Sequence, residues 1–172
     1  HCQDGTPDFL DRAIELVRRI TPAKILVRMD AGNDDAENLR RLGKKRHVGW
    51  IIKRNPRKES DADWLEEAQC HGECEEPRAG KEVWTGETWK ERDGKLYRVV
   101  FEVIERTITA DGQRLLVPEI EVSTWWTSLR LSAKRVIELY HQHGTSEQFH
   151  SEIKTDMGLE RLPSGKFATN AL

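Results

Sequence analysis

Residues 24–53 read KILVRMDAGNDDAENLRRLGKKRHVGWIIK, and this stretch decides the fold. Lys24 to Asp30 is an apolar run ending on a carboxylate, the pattern of a buried strand. Ala31-Gly32-Asn33 makes a turn. Asp34, with Glu37 following it, predicts a capping box for a helix that runs to Leu42, where Gly43 supplies the stop. His47 to Lys53, containing Val48, Trp50, Ile51 and Ile52, is a second strand. Strand, helix and strand within about 30 residues form a βαβ unit, which implies a parallel pair with a right-handed crossover.

Upstream, Phe9, Leu10, Ile14, Val17 and Ile20 recur at helical spacing. Thr6 is the expected N-cap, Pro7 the first helical residue, and Thr21-Pro22 the end. Downstream, Asn55-Pro56 breaks the second strand and a charged run follows: Lys53, Arg54, Arg57, Lys58 and Glu59. A short helix over Asp61 to Gln69 leads into a loop rich in Gly, Pro and Glu that reaches Gly80. The pattern then changes. Lys81 to Trp89, Leu96 to Thr107, Arg114 to Val117 and Glu119 to Trp126 favour β-branched and aromatic residues, with Asp93-Gly94 and Asp111-Gly112 as hairpin turns. This is an antiparallel block placed after a parallel unit. Ser132 caps a last helix carrying Val136, Ile137, Leu139 and Tyr140, expected to continue past Gly144 to Met157.

The chain has 172 residues, with 28 basic against 30 acidic side chains and a net charge of −2. It is therefore not a generic polycation. Charged residues make up 34%, but six Trp and regular apolar blocks argue against disorder. No apolar run approaches the roughly 18 residues of a membrane span, and no secretory leader is recognisable. Cys2, Cys70 and Cys74 are an odd set, which disfavours a disulfide framework and suits a cytosolic protein. Cys70-His71-Gly72-Glu73-Cys74 offers three zinc ligands, whereas a structural site takes four; the plainer expectation is a loop with free thiols. The chain begins on His1 and ends on an apolar Ala171-Leu172, so both ends read as cuts through a longer protein.

Two features carry possible chemistry. Asp30 ends a buried parallel strand, where open α/β sheets place their ligands; the alternative is that it merely closes a turn with Gly32. Tyr140, His143, Glu147, His150 and Lys154 share one face of the last helix, while Phe149 and Ile153 lie on another. That face is either a metal and phosphate surface or a solvated row of ion pairs. An Asp from a strand and a Glu from a later helix can together hold hard divalent cations. Two such ions serve phosphodiester chemistry by activating the attacking oxygen and steadying the leaving one. A third carboxylate is not found on a convincing strand.

The segment from Tyr140 through His143 and Glu147 to Lys154 resembles the Y-x2-R-x3-E-x6-K signature of bacterial DDE insertion-sequence transposases, with His143 standing where the signature has Arg. Val27-Arg-Met-Asp30-Ala-Gly-Asn33 resembles the block around the second acid of those enzymes. The tail from Glu160 to Asn170 resembles the stretch that follows the signature helix in one branch of the group. All three blocks occur in order, with a β-rich insertion between the second Asp and the Glu.

The resemblance implies an α/β, RNase H-like catalytic domain, partial here because its first strands and first acid are missing. Residues 1–58 would be the second half of the core, 59–128 a linker and the β-rich insertion, and 129–172 the signature helix and C-terminal segment. Asp30 and Glu147 would be catalytic ligands of two Mg²⁺ ions, with Mn²⁺ as substitute. Tyr140, His143 and Lys154 would contact phosphates at the transposon end. An unperturbed His titrates near pH 6.5 and lacks the planar fork of Arg, so a contact through His143 differs from the family's. Lys53, Arg54, Arg57 and Lys58 are candidates for the DNA backbone or for a solvated charge run. Trp125 is a candidate for stacking on a flipped base, although paired Trp in a strand more commonly divide between core and surface. The partners implied are double-stranded DNA, as terminal inverted repeats and target, and a second copy of the chain in a synaptic homodimer. The implied setting is the bacterial cytoplasm, at the nucleoid and away from membranes. Two other readings remain: a non-catalytic remnant that at most binds DNA, and an RNase H-like nuclease without strand transfer.

Overall fold

The computed structural model of the protein describes residues 5–142. Two compact units divide the chain, His1–Ile137 and Glu138–Leu172. The first unit is a mixed α/β layer structure. Its elements run α1 (Thr6–Ile20), β1 (Ile25–Met29), a 3₁₀ turn (Ala31–Asn33), α2 (Ala36–Gly43), β2 (Val48–Arg54), α3 (Asp61–His71), β3 (Glu73–Arg78), β4 (Lys81–Arg92), β5 (Lys95–Ile108) and β6 (Arg114–Thr127). A last helix, α4 (Ala133–His141), runs across the division into the second unit.

The six strands form one sheet in the order β1-β2-β6-β5-β4-β3. β1 and β2 pair in parallel, with Val27 opposite Trp50 and Met29 opposite Ile52. Every other pairing is antiparallel. The expected parallel unit and antiparallel block are thus parts of the same sheet, joined where β2 meets β6 through Ile52 opposite Trp126.

Side chains alternate across this sheet, and the alternation sorts the core. One face carries Met29, Trp50, Ile52, Val99, Phe101, Val103 and Trp126 in a single cluster. Onto it pack Leu10 and Ile14 of α1, Leu39 and Leu42 of α2, and Trp64 and Ala68 of α3. Ile51, Val100 and Trp125 occupy the alternate positions on the other face and are also fully buried. Each large apolar side chain so buried contributes about 1.5–3 kcal/mol.

Several local expectations need correction. Gly5, in the left-handed region at φ 82, occupies the N-cap of α1, so Thr6 is the first helical residue. The cap of α2 is Asp35, whose side chain accepts from the Glu37 N–H, rather than Asp34. The stretch before Gly80 is strand β3, not a loop. Among the described residues it pairs only with β4, and it is charged and exposed and shifts register between Glu75 and Arg78; Pro77 is tolerated at such an edge because no ladder bond is asked of it. The two segments either side of Pro118 are one strand, β6. Its register to β5 jumps from Arg106–Glu119 to Ile108–Arg114, and Pro118 falls in that irregularity. The Asp93-Gly94 turn is confirmed, with φ of 50° and 72° closing Arg92 onto Lys95. α4 ends at His141 within the described residues; its expected continuation to Met157 lies outside them.

Candidate active site

Asp30 follows directly on Met29, the last paired residue of β1. Its backbone is still extended (φ −76, ψ 177) before the chain enters the Ala31–Asn33 turn. The side chain is exposed. Its direction is set locally. The Asn33 Nδ2 donates to Asp30 Oδ1 at 2.6 Å, and the Asn33 N–H donates to the Asp30 carbonyl at 3.1 Å. A Cβ placed on Gly32 would lie 3.2 Å from that same Oδ1. The turn therefore holds one oxygen of the carboxylate through Asn33, and glycine at position 32 leaves that oxygen uncrowded.

Immediately behind the turn is a residue that the sequence pattern assigned to a cap. Asp34 is 1% exposed. Its Oδ1 accepts from the Trp126 indole at 2.9 Å and its Oδ2 from the Asn55 N–H at 3.0 Å. One carboxylate thus ties the end of β1, the end of β2 and β6 together. Asn38, also 1% exposed, donates from Nδ2 to the Asn33 carbonyl at 3.1 Å. From sequence Asp34 was read only as a helix cap, and Asn38 was not singled out. The available signal was two adjacent Asp before one helix, of which only one can cap it.

The basic run at the end of β2 divides sharply. Lys53 is half-buried; its Nζ lies 2.7 Å from Ser123 Oγ and 4.2 Å from the centre of the Trp125 ring. Burial pulls its ammonium below the usual lysine value of 10.5, against the opposing pull of Glu102 and Glu121. Arg54 is 8% exposed and pairs through both terminal nitrogens with Glu59, lying over the rings of Trp126 and Trp64. Arg57 and Lys58 are exposed. The expected core-and-surface division of Trp125 and Trp126 is not found: the two are 0% and 1% exposed, on opposite faces of the sheet. Both faces of β6 are covered at this point, so neither ring is surface.

Tyr140 lies on α4 in the second unit and is half-buried, its ring 5.9 Å from that of His141. His143, Glu147 and Lys154, like Cys2, lie outside the described residues. Cys70 and Cys74 are free and exposed. Partial burial, with Glu82 and Glu76 nearby, pushes the Cys74 thiol up, which disfavours the thiolate that zinc needs. Among the described residues no group of three or more His, Cys, Asp or Glu is placed to hold a metal. Asp30 alone is one hard-oxygen donor, exposed and with one oxygen bonded to Asn33, which suits a divalent cation held partly by a further carboxylate.

These elements define a mixed α/β domain with an aimed carboxylate at the C-terminal end of a parallel strand. The family model of the transposase DDE domain matches residues 3–172, and the chain belongs to that family. Membership implies a transposase function, with nuclease or transposase chemistry on DNA supported by divalent metal ions. The search of curated proteins returned no match. Among the described residues no helix is long and apolar enough to cross a membrane.

Proposed function

We propose that the chain is the part of a bacterial insertion-sequence transposase of the Y-R-E-K group that holds its second and third acids, and that the full-length protein carries out metal-dependent cleavage and transfer of DNA strands at transposon ends. The observation that carries this reading is the placement of Asp30, exposed at the end of β1 with its Oδ1 held by Asn33, in a chain of the transposase DDE domain family. Asp30 and Glu147 are the proposed ligands of two Mg²⁺ ions, with Mn²⁺ as substitute. When bound, such ions activate the attacking oxygen and stabilise the departing one at a phosphodiester. The β3–β6 block is the proposed insertion in an RNase H-like core.

The chain's own residues bind and orient. Tyr140, His143 and Lys154 are assigned to phosphates at the transposon end. Arg57 and Lys58, exposed just past β2, are assigned to the DNA backbone, and Lys53, half-buried against Trp125 with its stem covered, is assigned a further charge for it. Arg54 and Trp125 are left out of this surface, since Arg54 is bound to Glu59 and Trp125 is 0% exposed. The partners are inverted-repeat and target DNA, with a second copy of the chain in the synaptic complex. The proposed setting is the bacterial nucleoid.

The test is cleavage of duplexes bearing the element's terminal repeats, in Mg²⁺ and in Mn²⁺. Asp30→Ala and Glu147→Ala should each abolish cutting while leaving end binding largely intact. Cutting by Glu147→Ala protein would overturn the assignment.

A further inference from the structure

We propose that Asn33 is a positioning residue for the metal-binding carboxylate of Asp30, an inference that rests on the metal reading above. The Asn33 amide donates to Oδ1 at 2.6 Å and so leaves Oδ2 outside that bond, for a cation. A carboxylate free to rotate would present either oxygen and would lose orientational entropy on binding. One clamped at Oδ1 is preorganised.

What makes the clamp effective is that Asn33 is itself fixed on three sides. Its N–H donates to the Asp30 carbonyl, and its carbonyl accepts from the Asp35 N–H at 2.8 Å and from Asn38 Nδ2 at 3.1 Å. Asn38 makes that bond from a buried position, and its own Oδ1 has no hydrogen-bond partner among the described residues. A buried orphan oxygen is unfavourable, so the fold accepts a cost at Asn38 in the same place where the turn is held. Asp34 then bolts the far end of the turn to Trp126 and to the Asn55 N–H. Glycine at position 32 leaves Oδ1 free to take this bond, since a Cβ there would press on it from 3.2 Å.

A merely structural Asn33 would close the turn and no more. The experiment separates the two by titrating Mn²⁺ into the full chain and following bound metal by electron paramagnetic resonance, with thermal melting in metal-free buffer alongside. Asp30→Ala should lose the tightest Mn²⁺ site. Asn33→Ala should weaken that site by about 10–100-fold, the range for an outer-shell partner of a metal ligand. Asn33→Ser, which keeps a short donor, should recover part of the affinity. Gly32→Ala leaves the Asn33 side chain in place and should weaken the site by pressing on Oδ1, even if Asn33→Ala fails to fold. Wild-type Mn²⁺ affinity in Asn33→Ala and Gly32→Ala, with loss in Asp30→Ala, would overturn the positioning role and leave the metal reading standing. Unchanged Mn²⁺ binding in Asp30→Ala would overturn the metal reading itself.

Discussion

The indole nitrogen of Trp126 donates to the buried carboxylate of Asp34 at 2.9 Å, joining residues 92 apart in sequence. The bond fastens the turn that carries Asp30 to the centre of the sheet, where Trp126 lies opposite both Ile52 and Val99. Removing the carboxylate orphans two buried donors, the Trp126 indole and the Asn55 N–H. Asp34→Ala should therefore cost about 2–4 kcal/mol of stability. For a chain of this size that is a fall of roughly 5–15 °C in melting temperature, read by circular dichroism. A fall of no more than a degree would show that the bond is not made in solution.

The Arg54–Glu59 pair should give the protein an acid-sensitive component. Burial alone would raise the Glu59 carboxyl, but the bond and charge of Arg54, with Lys90 and the Trp64 indole, hold it below the ordinary 4.5. A depressed carboxyl stabilises the fold above its unfolded pKa, and that stability is lost as pH falls through the folded value. Unfolding midpoints should drop from about pH 5 downward. Glu59→Gln should lower stability near neutrality and flatten that drop.

Arg57 and Lys58 are exposed where Arg54 is not, so the three should behave differently toward DNA. Arg57→Ala and Lys58→Ala should each weaken duplex binding across all sequences and reduce the slope of log K against log salt by about 0.9. Their melting temperatures should stay near wild type. Arg54→Ala should instead destabilise the fold, because Glu59 loses its partner. Equal salt slopes in wild type and both surface variants would remove this patch from the DNA surface.

Gly86 sits opposite Phe101 on the neighbouring strand, and a Cβ there would come within 2.4 Å of the ring. Phe101 is fully buried against Trp64 and cannot withdraw freely. Gly86→Ala should cost about 1–3 kcal/mol by overpacking, measurable by urea unfolding. Phe101→Leu in the same background should recover part of the loss. An unchanged urea midpoint would mean that the β4–β5 register differs from the one described.

Local patterns made much of this legible. Apolar periodicity located α1, capping signals and Gly43 located α2, and the Asp93-Gly94 hairpin was visible because Asp-Gly suits the left-handed pair of a tight two-residue turn. The family was legible too, because blocks in a given order survive without any knowledge of contacts. Misreadings arose where a residue has two local uses. Asp34 and Asp35 are equally good caps on paper, and the choice fell to the one not needed by Trp126. Pro77 and Pro118 signal breaks, yet one lies on an edge strand and the other in a register shift, where a missing N–H costs little.

Sequence alone determined that this is an α/β chain with a strand-ending Asp30, an antiparallel block and the order of a DDE transposase domain, since periodicity, turn chemistry and motif spacing are all local properties of the chain. Tertiary structure decided which charges are buried and which are free. It put Arg54 over two Trp rings, hid Trp125, and made Asp34 rather than a cap residue the anchor of the turn. Those outcomes depend on which strands become neighbours, and burial is a property of the whole sheet that no single segment contains.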